Sequence, residues 1–324
     1  MAACAILLAA CGGESAPPAG VPYSESPAGA AIELADLRRF WAAYDAGGRD
    51  GDISAYQRRY LDSASAGLRA LMQSRQVTAA SLAAMTRIAP AYFDALRGQL
   101  LPLTADAPVF ATIRANYERV EQRYPESVFP ALWMLVGRFS TGGTTAGGAG
   151  MLIGSEFFGA DAAPPLDGLP AFARANVRSL ATLPPLVAHE HAHILQARAG
   201  ARGLSDGHTL LERTLAEGGA EFLAELVSGA NTMPAQHAWA RPRERAVWEE
   251  FQREMRGTDI TRWLYNQGTA TADRPGDLGY FVGYRIAQAY YRRAADTTQA
   301  FRDLVALRDA EGILRASGYD GSGP

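Results

Sequence analysis

Five consecutive residues, His189-Glu190-His191-Ala192-His193, constrain this 324-residue chain more than any other stretch of it. They match HExxH, a spacing that has a physical meaning on an α-helix. Positions i and i+4 share one face, so the imidazoles of His189 and His193 converge on a single ion. Glu190 lies one position round and reaches a water beside that ion, as a general base must. His191 points about 200° away from His189 at 3.6 residues per turn and is excluded as a ligand. In a chain with 5 histidines, chance supplies such a match roughly 0.004 times. The flanks Leu186, Val187, Ala188, Ile194 and Leu195 are apolar, which predicts a helix buried over much of its surface. Two buried histidines beside a buried glutamate are costly without a partner, and a divalent cation supplies one.

A catalytic zinc takes three protein ligands and keeps one position open. The sequence predicts the third on the following helix, where Ala216-Glu217-Gly218-Gly219-Ala220-Glu221 presents two carboxylates at i and i+4, with glycines that permit close helix approach. Glu217 is the expected ligand. Glu221, one turn on, is placed to accept a hydrogen bond from His189 and fix its tautomer, although the two roles are exchangeable. Glu225 continues the same face and reads as solvated. Asp206 and His208, in the Gly-flanked loop between the helices, compete for the third position. His237 sits in a polar stretch and reads as a surface residue. Zinc follows from the nitrogen and oxygen donors, which other divalent ions also accept.

The helix pair resembles the gluzincin metallopeptidases, the broad group that includes thermolysin. A closer resemblance is to predicted zinc-dependent proteases among bacterial lipoproteins, similar to gliding-motility lipoprotein B. It rests on His189 to Gln196, on Leu210 to Glu225, and on Gly276 to Tyr291, which reads GDLGYFVGYRIAQAYY. The resemblance implies a predominantly helical α+β fold: a zincin-like catalytic core with a small β-sheet or hairpin packed on the active-site helix. It further implies that Met151 to Phe158 is an edge strand lining the cleft, to which an extended peptide adds. Within the third segment Tyr284, and after it Tyr280, are candidate donors to the oxyanion of a tetrahedral intermediate. Aromatic residues at this spacing also serve simply as core.

The rest of the chain reads around this site. A formal net charge of -3, with 31 basic residues scattered as arginine, leaves no footprint for nucleic acid. Ala3 to Ala10 is apolar and runs into Leu8-Ala9-Ala10-Cys11-Gly12, which resembles a bacterial lipobox, although no positive charge precedes it. Residues 1–11 are therefore expected to be a lipoprotein signal segment and Cys11 the lipidated residue. The 2 cysteines of the chain are Cys4 and Cys11, so a mature chain starting at Cys11 has no thiol for a disulfide. Residues 12–30, rich in Gly, Ala, Ser and Pro, read as a flexible tether. Residues 31–125 read as a helical region and 126–324 as the catalytic region.

Within these regions Val128 to Phe139 and Met151 to Phe158 read as buried strands, joined as a hairpin through the Gly/Thr loop Thr141 to Gly150. That loop lacks the lysine of a phosphate cradle. Helices are expected from Pro184 to about Ala199, from a Thr209/Glu212 capping box to about Val227, and over 241–256, 277–294 and 297–316.

The expected function is that of a zinc-dependent hydrolase, a peptidase using metal-activated water with Glu190 as general base and a peptide or protein as substrate. The expected location is the bacterial cell envelope, on the periplasmic or outer-membrane face, held by the N-terminal lipid alone. A non-catalytic lipoprotein stabilised by its metal, or a hydrolase of a non-peptide amide, are the alternatives.

Overall fold

The computed structural model describes residues 23–146, 148–271 and 273–322. The signal segment 1–11 with Cys11, and residues 12–22 of the expected tether, lie outside them. The remainder of that tether is built into the fold. Ser24 pairs with Phe129 in an antiparallel bridge, and Pro27–Gly29 forms a 3-10 turn.

Among the described residues the helices are α1 (Ala35–Asp45), α2 (Ile53–Tyr56), α3 (Ala66–Arg75), α4 (Ala79–Ile88), α5 (Pro90–Leu100), α6 (Pro108–Arg123) and α7 (Ala171–Asn176). They continue as α8 (Leu183–Ala199), α9 (Leu210–Ser228), α10 (Pro234–Ala240), α11 (Glu244–Glu254), α12 (Leu278–Arg293), α13 (Thr297–Ala306) and α14 (Ala310–Ser317). The strands are β1 (Ile32–Glu33), β2 (Leu132–Leu135), β3 (Gly143–Ala146) and β4 (Gly150–Gly154). The fold is thus predominantly helical α+β with one small mixed sheet. No helix among the described residues is long and apolar enough to cross a membrane.

The chain forms two compact units. The described parts of one are 23–115 and 128–187; those of the other are 116–127 and 188–322.

In the first unit, local signals start the helices. The Ser65 hydroxyl accepts from the Leu68 N–H at 3.1 Å, Thr78 and Ser81 cap α4 reciprocally, and Pro90 opens α5. Phe40 anchors the aromatic core, its ring 4.9 Å from Trp41 and 5.4 Å from both Tyr56 and Tyr60. Burying such rings is a main source of stability.

The sheet runs in the order β1-β2-β4-β3. Strand β2 lies parallel to β1 and to β4, with Leu132 opposite Ile32 and Met151; β3 and β4 are antiparallel, with Thr144 opposite Leu152. Two expectations are corrected here. The hairpin is made by β3 and β4, with β3 inside the segment read as a loop, and β2 and β4 are parallel neighbours. Strand β4 is also central, so its backbone donors and acceptors are already paired on both sides and no peptide can add to it. The sequence Gly-Met-Leu-Ile-Gly, buried throughout, is what a strand covered on both faces requires. At Gly150, φ is 99° and a Cβ would stand 2.4 Å from the Ala131 carbonyl oxygen, which only glycine allows.

Just beyond β4, the buried Glu156 carboxylate accepts from the N–H of Gly137 at 3.0 Å and of Phe139 at 2.8 Å. Burial pushes its pKa up to about 7, against the opposing effect of these two bonds.

The second unit is organised by α9 and α12. A Cβ on Gly218 would stand 2.2 Å from the Tyr284 nitrogen, and one on Gly283 would stand 1.9 Å from the Thr214 carbonyl oxygen. These two glycines set how closely the helix backbones cross. The N-terminus of α9 is fully satisfied. Thr209 and Glu212 form the expected capping box, and the N–H groups of Leu210 and Leu211 donate to the carbonyls of Gly257 and Met255 at 2.7 and 2.8 Å. The expected helix over 297–316 is two helices, broken where Leu307 takes a φ of 39°. The stretch over 241–256 is regular α-helix only from Glu244.

Candidate metal centre

Helix α8 carries Leu-Pro-Pro in its first turn and ends at Gly200, whose φ of 69° suits glycine. Between these ends it presents His189 and His193 on one face, at 7% and 4% exposure. Helix α9 brings Glu217 to the same point. His193 Nε2 lies 3.1 Å from His189 Nε2 and 3.2 Å from Glu217 Oε2, and His189 Nε2 lies 3.7 Å from that same oxygen. Tetrahedral ligand atoms bound at about 2.0–2.1 Å are separated by about 3.3–3.4 Å. Three buried donor atoms spaced in this way fit a zinc ion, and the two-imidazole, one-carboxylate set suits its chemistry.

The rear of each ligand is also held. Gln196, fully buried, places Oε1 2.9 Å from His193 Nδ1, while its amide donates to the Ala216 carbonyl at 3.0 Å. Gln196 Oε1 is an acceptor facing Nδ1 of His193, the arrangement that leaves Nε2 for an ion. Glu221 Oε2 lies 3.2 Å from His189 Nδ1 and accepts from the Thr232 hydroxyl at 2.6 Å. Glu217 Oε1 accepts from the Tyr265 hydroxyl, which leaves Oε2 for the imidazoles. Asp277 fixes the loop that delivers Tyr265: its Oδ1 accepts from the Asn266 N–H at 2.9 Å, and its own N–H donates to Asn266 Oδ1 at 2.6 Å.

Electrostatics show what the cluster demands. Burial opposes a charge on His189, yet hydrogen bonds to Glu217 and Glu221, with the nearby charge of Glu190, outweigh it and raise the imidazole to about 10. Burial likewise opposes ionisation of Glu217, but His193 and His189 hold its carboxyl well below the usual carboxylate range. Carboxyl groups of Glu190, Glu217 and Glu221 surround two imidazoles in a desolvated space. Such a site draws positive charge, which a proton or a divalent cation supplies.

Other residues singled out from the sequence fall elsewhere. The His191 ring turns to Tyr117, at 4.9 Å between centroids. Asp206 and His208 stay outside the cluster: Asp206 lies 3.6 Å from Arg213 and His208 lies 3.6 Å from Glu212. Tyr284 is not at the centre. Its hydroxyl donates to Glu225 at 3.0 Å and accepts from Gln288 at 3.0 Å, so Glu225 is engaged and not merely solvated. Tyr280, the second candidate, is at the centre: its ring stacks on His189 at 6.2 Å, and burial together with the Glu217 charge keeps its hydroxyl protonated. His237 is corrected from surface to core. It is 6% exposed, packs 4.6 Å from the Tyr284 ring, and burial lowers its pKa.

Sequence reasoning missed Gln196 and Tyr265. Gln196 had a signal, a polar residue three positions after His193 and directly behind apolar Ile194 and Leu195. Tyr265 had none, because it lies in a loop with a φ of 56°.

A family model described as a predicted Zn-dependent protease (DUF2268) matches residues 164–309, a span that includes His189, Glu190, His193, Glu217 and Glu221. No curated protein and no solved structure matches the chain.

Proposed function

We propose that the protein is a zinc-dependent peptidase in which His189, His193 and Glu217 hold the ion and Glu190 is the general base. The observation that carries this reading is the triangle of His189 Nε2, His193 Nε2 and Glu217 Oε2, with a glutamate directly following the first histidine. A structural ion has no use for a carboxylate at that position, whereas hydrolysis does. The likeness of residues 164–309 to predicted zinc proteases supports the same conclusion.

When bound, the ion supplies Lewis acidity, which makes a water acidic near neutral pH and polarises a carbonyl. The rest of the chemistry belongs to the chain. Glu190 takes the proton of the attacking water and returns it to the leaving amine. Gln196 and Glu221 hold the imidazoles in the tautomer that presents Nε2. Tyr265 fixes one oxygen of Glu217. Tyr280, protonated and stacked on His189, is the donor offered to the oxyanion. The lipobox-like Leu8 to Gly12 supports a cell-envelope location with lipid on Cys11.

The test measures zinc by elemental analysis and turnover on a mixed peptide library, for the full chain and for Glu190→Gln and His193→Ala. We expect one zinc per chain, kept in Glu190→Gln without turnover and lost in His193→Ala. Turnover by Glu190→Gln would remove the assigned base, and absence of bound zinc in the unsubstituted protein would remove the hydrolase.

A further inference from the structure

We infer that Arg213 is the floor of a carboxylate-binding subsite beside the metal centre, one that selects peptides by an anionic group near the bond to be cut. This rests on the peptidase reading above and narrows its substrate class.

Arg213 lies in the first turn of α9 with its side chain 2% exposed. Among the described residues its Nε, Nη1 and Nη2 have no hydrogen-bond partner. Arginine keeps its charge in proteins and offers five N–H donors, so a buried guanidinium without acceptors is costly and calls for an occupant. Nearby carboxylates do not fill that role. Glu212 is held by Arg202 and by the N–H and hydroxyl of Thr209, at 2.8 and 3.0 Å. Asp206 Oδ1 forms an ion pair with Nη1 at 3.6 Å but no hydrogen bond, on a side chain 94% exposed to water.

Arg213 is one of the residues that line a cavity of about 200 Å³, with Asp206, Gly207, His208, Thr258 and Ile260, and its guanidinium nitrogens are themselves shielded from solvent. The site also connects to the metal cluster through one aromatic ring. The Arg213 guanidinium carbon sits 5.4 Å from the centroid of the Tyr265 ring, and the Tyr265 hydroxyl donates to Glu217. An anion on Arg213 is therefore one tyrosine away from the ligand carboxylate, a separation that a single substrate peptide spans.

The planar fork of a guanidinium matches the two oxygens of a carboxylate, which can accept two parallel N–H bonds. A peptide carries that group in two places, at its C-terminus or on an Asp or Glu side chain. Asp206 guards the cavity with a like charge in a loop bounded by Gly203 and Gly207, whose φ angles are 88° and 85°. Its charge weakens the binding of any entering carboxylate.

The test is calorimetric binding to the full-length Glu190→Gln protein, which leaves peptides intact. Three acetylated alanine pentapeptides serve as probes: one with a free C-terminus, one amidated, and one amidated with a single internal Asp. We expect the free acid or the Asp peptide to bind at least about tenfold more tightly than the neutral amide, and whichever does so identifies the source of the carboxylate. Adding Arg213→Lys, which keeps the charge and loses the fork, should reduce that preference to under about threefold. Adding Asp206→Asn, an exposed change that leaves the buried arginine in place, should strengthen carboxylate binding. Equal binding of all three peptides, binding of none, or a preference untouched by both substitutions would overturn the subsite. A preference for carboxylate with no cleavage by the unsubstituted protein would leave the subsite standing and remove the peptidase. Cleavage without any preference would do the reverse.

Discussion

Gln196 joins the two helices of the candidate metal centre through a single side chain, its Oε1 lying 2.9 Å from His193 Nδ1 as an acceptor and its amide donating to the Ala216 carbonyl at 3.0 Å. The residue next to that carbonyl is Glu217, the proposed third ligand. One amide therefore sets both the tautomer of one ligand and the position of the backbone bearing another.

Replacing Gln196 should weaken zinc binding without removing a ligand. We expect Gln196→Ala to lower zinc affinity by about 10- to 100-fold, read by competition with a chromogenic chelator. Glu221→Gln, which leaves an oxygen for His189 Nδ1, should cost less than Glu221→Ala. Unchanged affinity in Gln196→Ala would mean that packing alone orients His193.

The adjacent glycines of α9 should respond in opposite directions. A Cβ on Gly218 would collide with the Tyr284 backbone nitrogen at 2.2 Å, so Gly218→Ala must push α12 away and should cost at least about 2 kcal/mol. A Cβ on Gly219 meets nothing within 4 Å, and relief of glycine's backbone entropy in a helix should stabilise Gly219→Ala by up to about 1 kcal/mol. Urea titrations of the two variants decide the matter, and equal effects would contradict the close crossing.

The buried Glu156 predicts a pH dependence of stability. Its carboxyl is raised from 4.5 to about 7 by burial, so the folded chain keeps a proton that the unfolded chain has released. Folding takes up a proton between those values, and stability falls as pH rises from about 4.5 to about 7. The shift corresponds to about 3 kcal/mol at 1.36 kcal/mol per unit. Glu156→Gln has no such titration. The stability difference between the two proteins should therefore change by about that amount across the window, and a constant difference would show that Glu156 is already ionised at low pH.

Zinc itself should act as a stabiliser of the unit that holds it. At a free concentration 100 times the dissociation constant, an ion that binds the folded chain alone adds about 2.7 kcal/mol. A chelator should lower the melting temperature of the unsubstituted protein and leave that of His193→Ala unchanged. A chelator effect of equal size in both would place the ion elsewhere.

Much of the centre was legible because helix geometry turns spacing into direction. His189, His193, Glu217 and Glu221 follow from the i, i+4 rule, and the Thr209/Glu212 capping box places the start of α9. The parts that were not legible depend on contacts between distant segments. Tyr265 reaches Glu217 because Asp277 pins a loop, and no periodicity announces that. Arg213, beside Glu212 at the start of a helix, carries no sequence sign that its side chain is buried. Strand β3, Gly-Thr-Thr-Ala, has no large apolar residue to mark it, and the parallel pairing of β2 with β4 depends on where β3 goes. Tyr280 and Tyr284, four apart on one helix, are not separated by spacing; the structure sets Tyr280 against His189 and Tyr284 against Glu225.

The crossing of Gly218 with Gly283 also bears on when the site comes into being during synthesis. Helix α9 carries Glu217, but its buried face is completed only by α12, which follows after two further helices and a long loop. A ribosome therefore releases both histidines and the carboxylate ligand well before the helix that packs behind them. Until α12 emerges, the nascent chain holds the His189, His193 and Glu217 donors without the helix crossing that packs α9 in place.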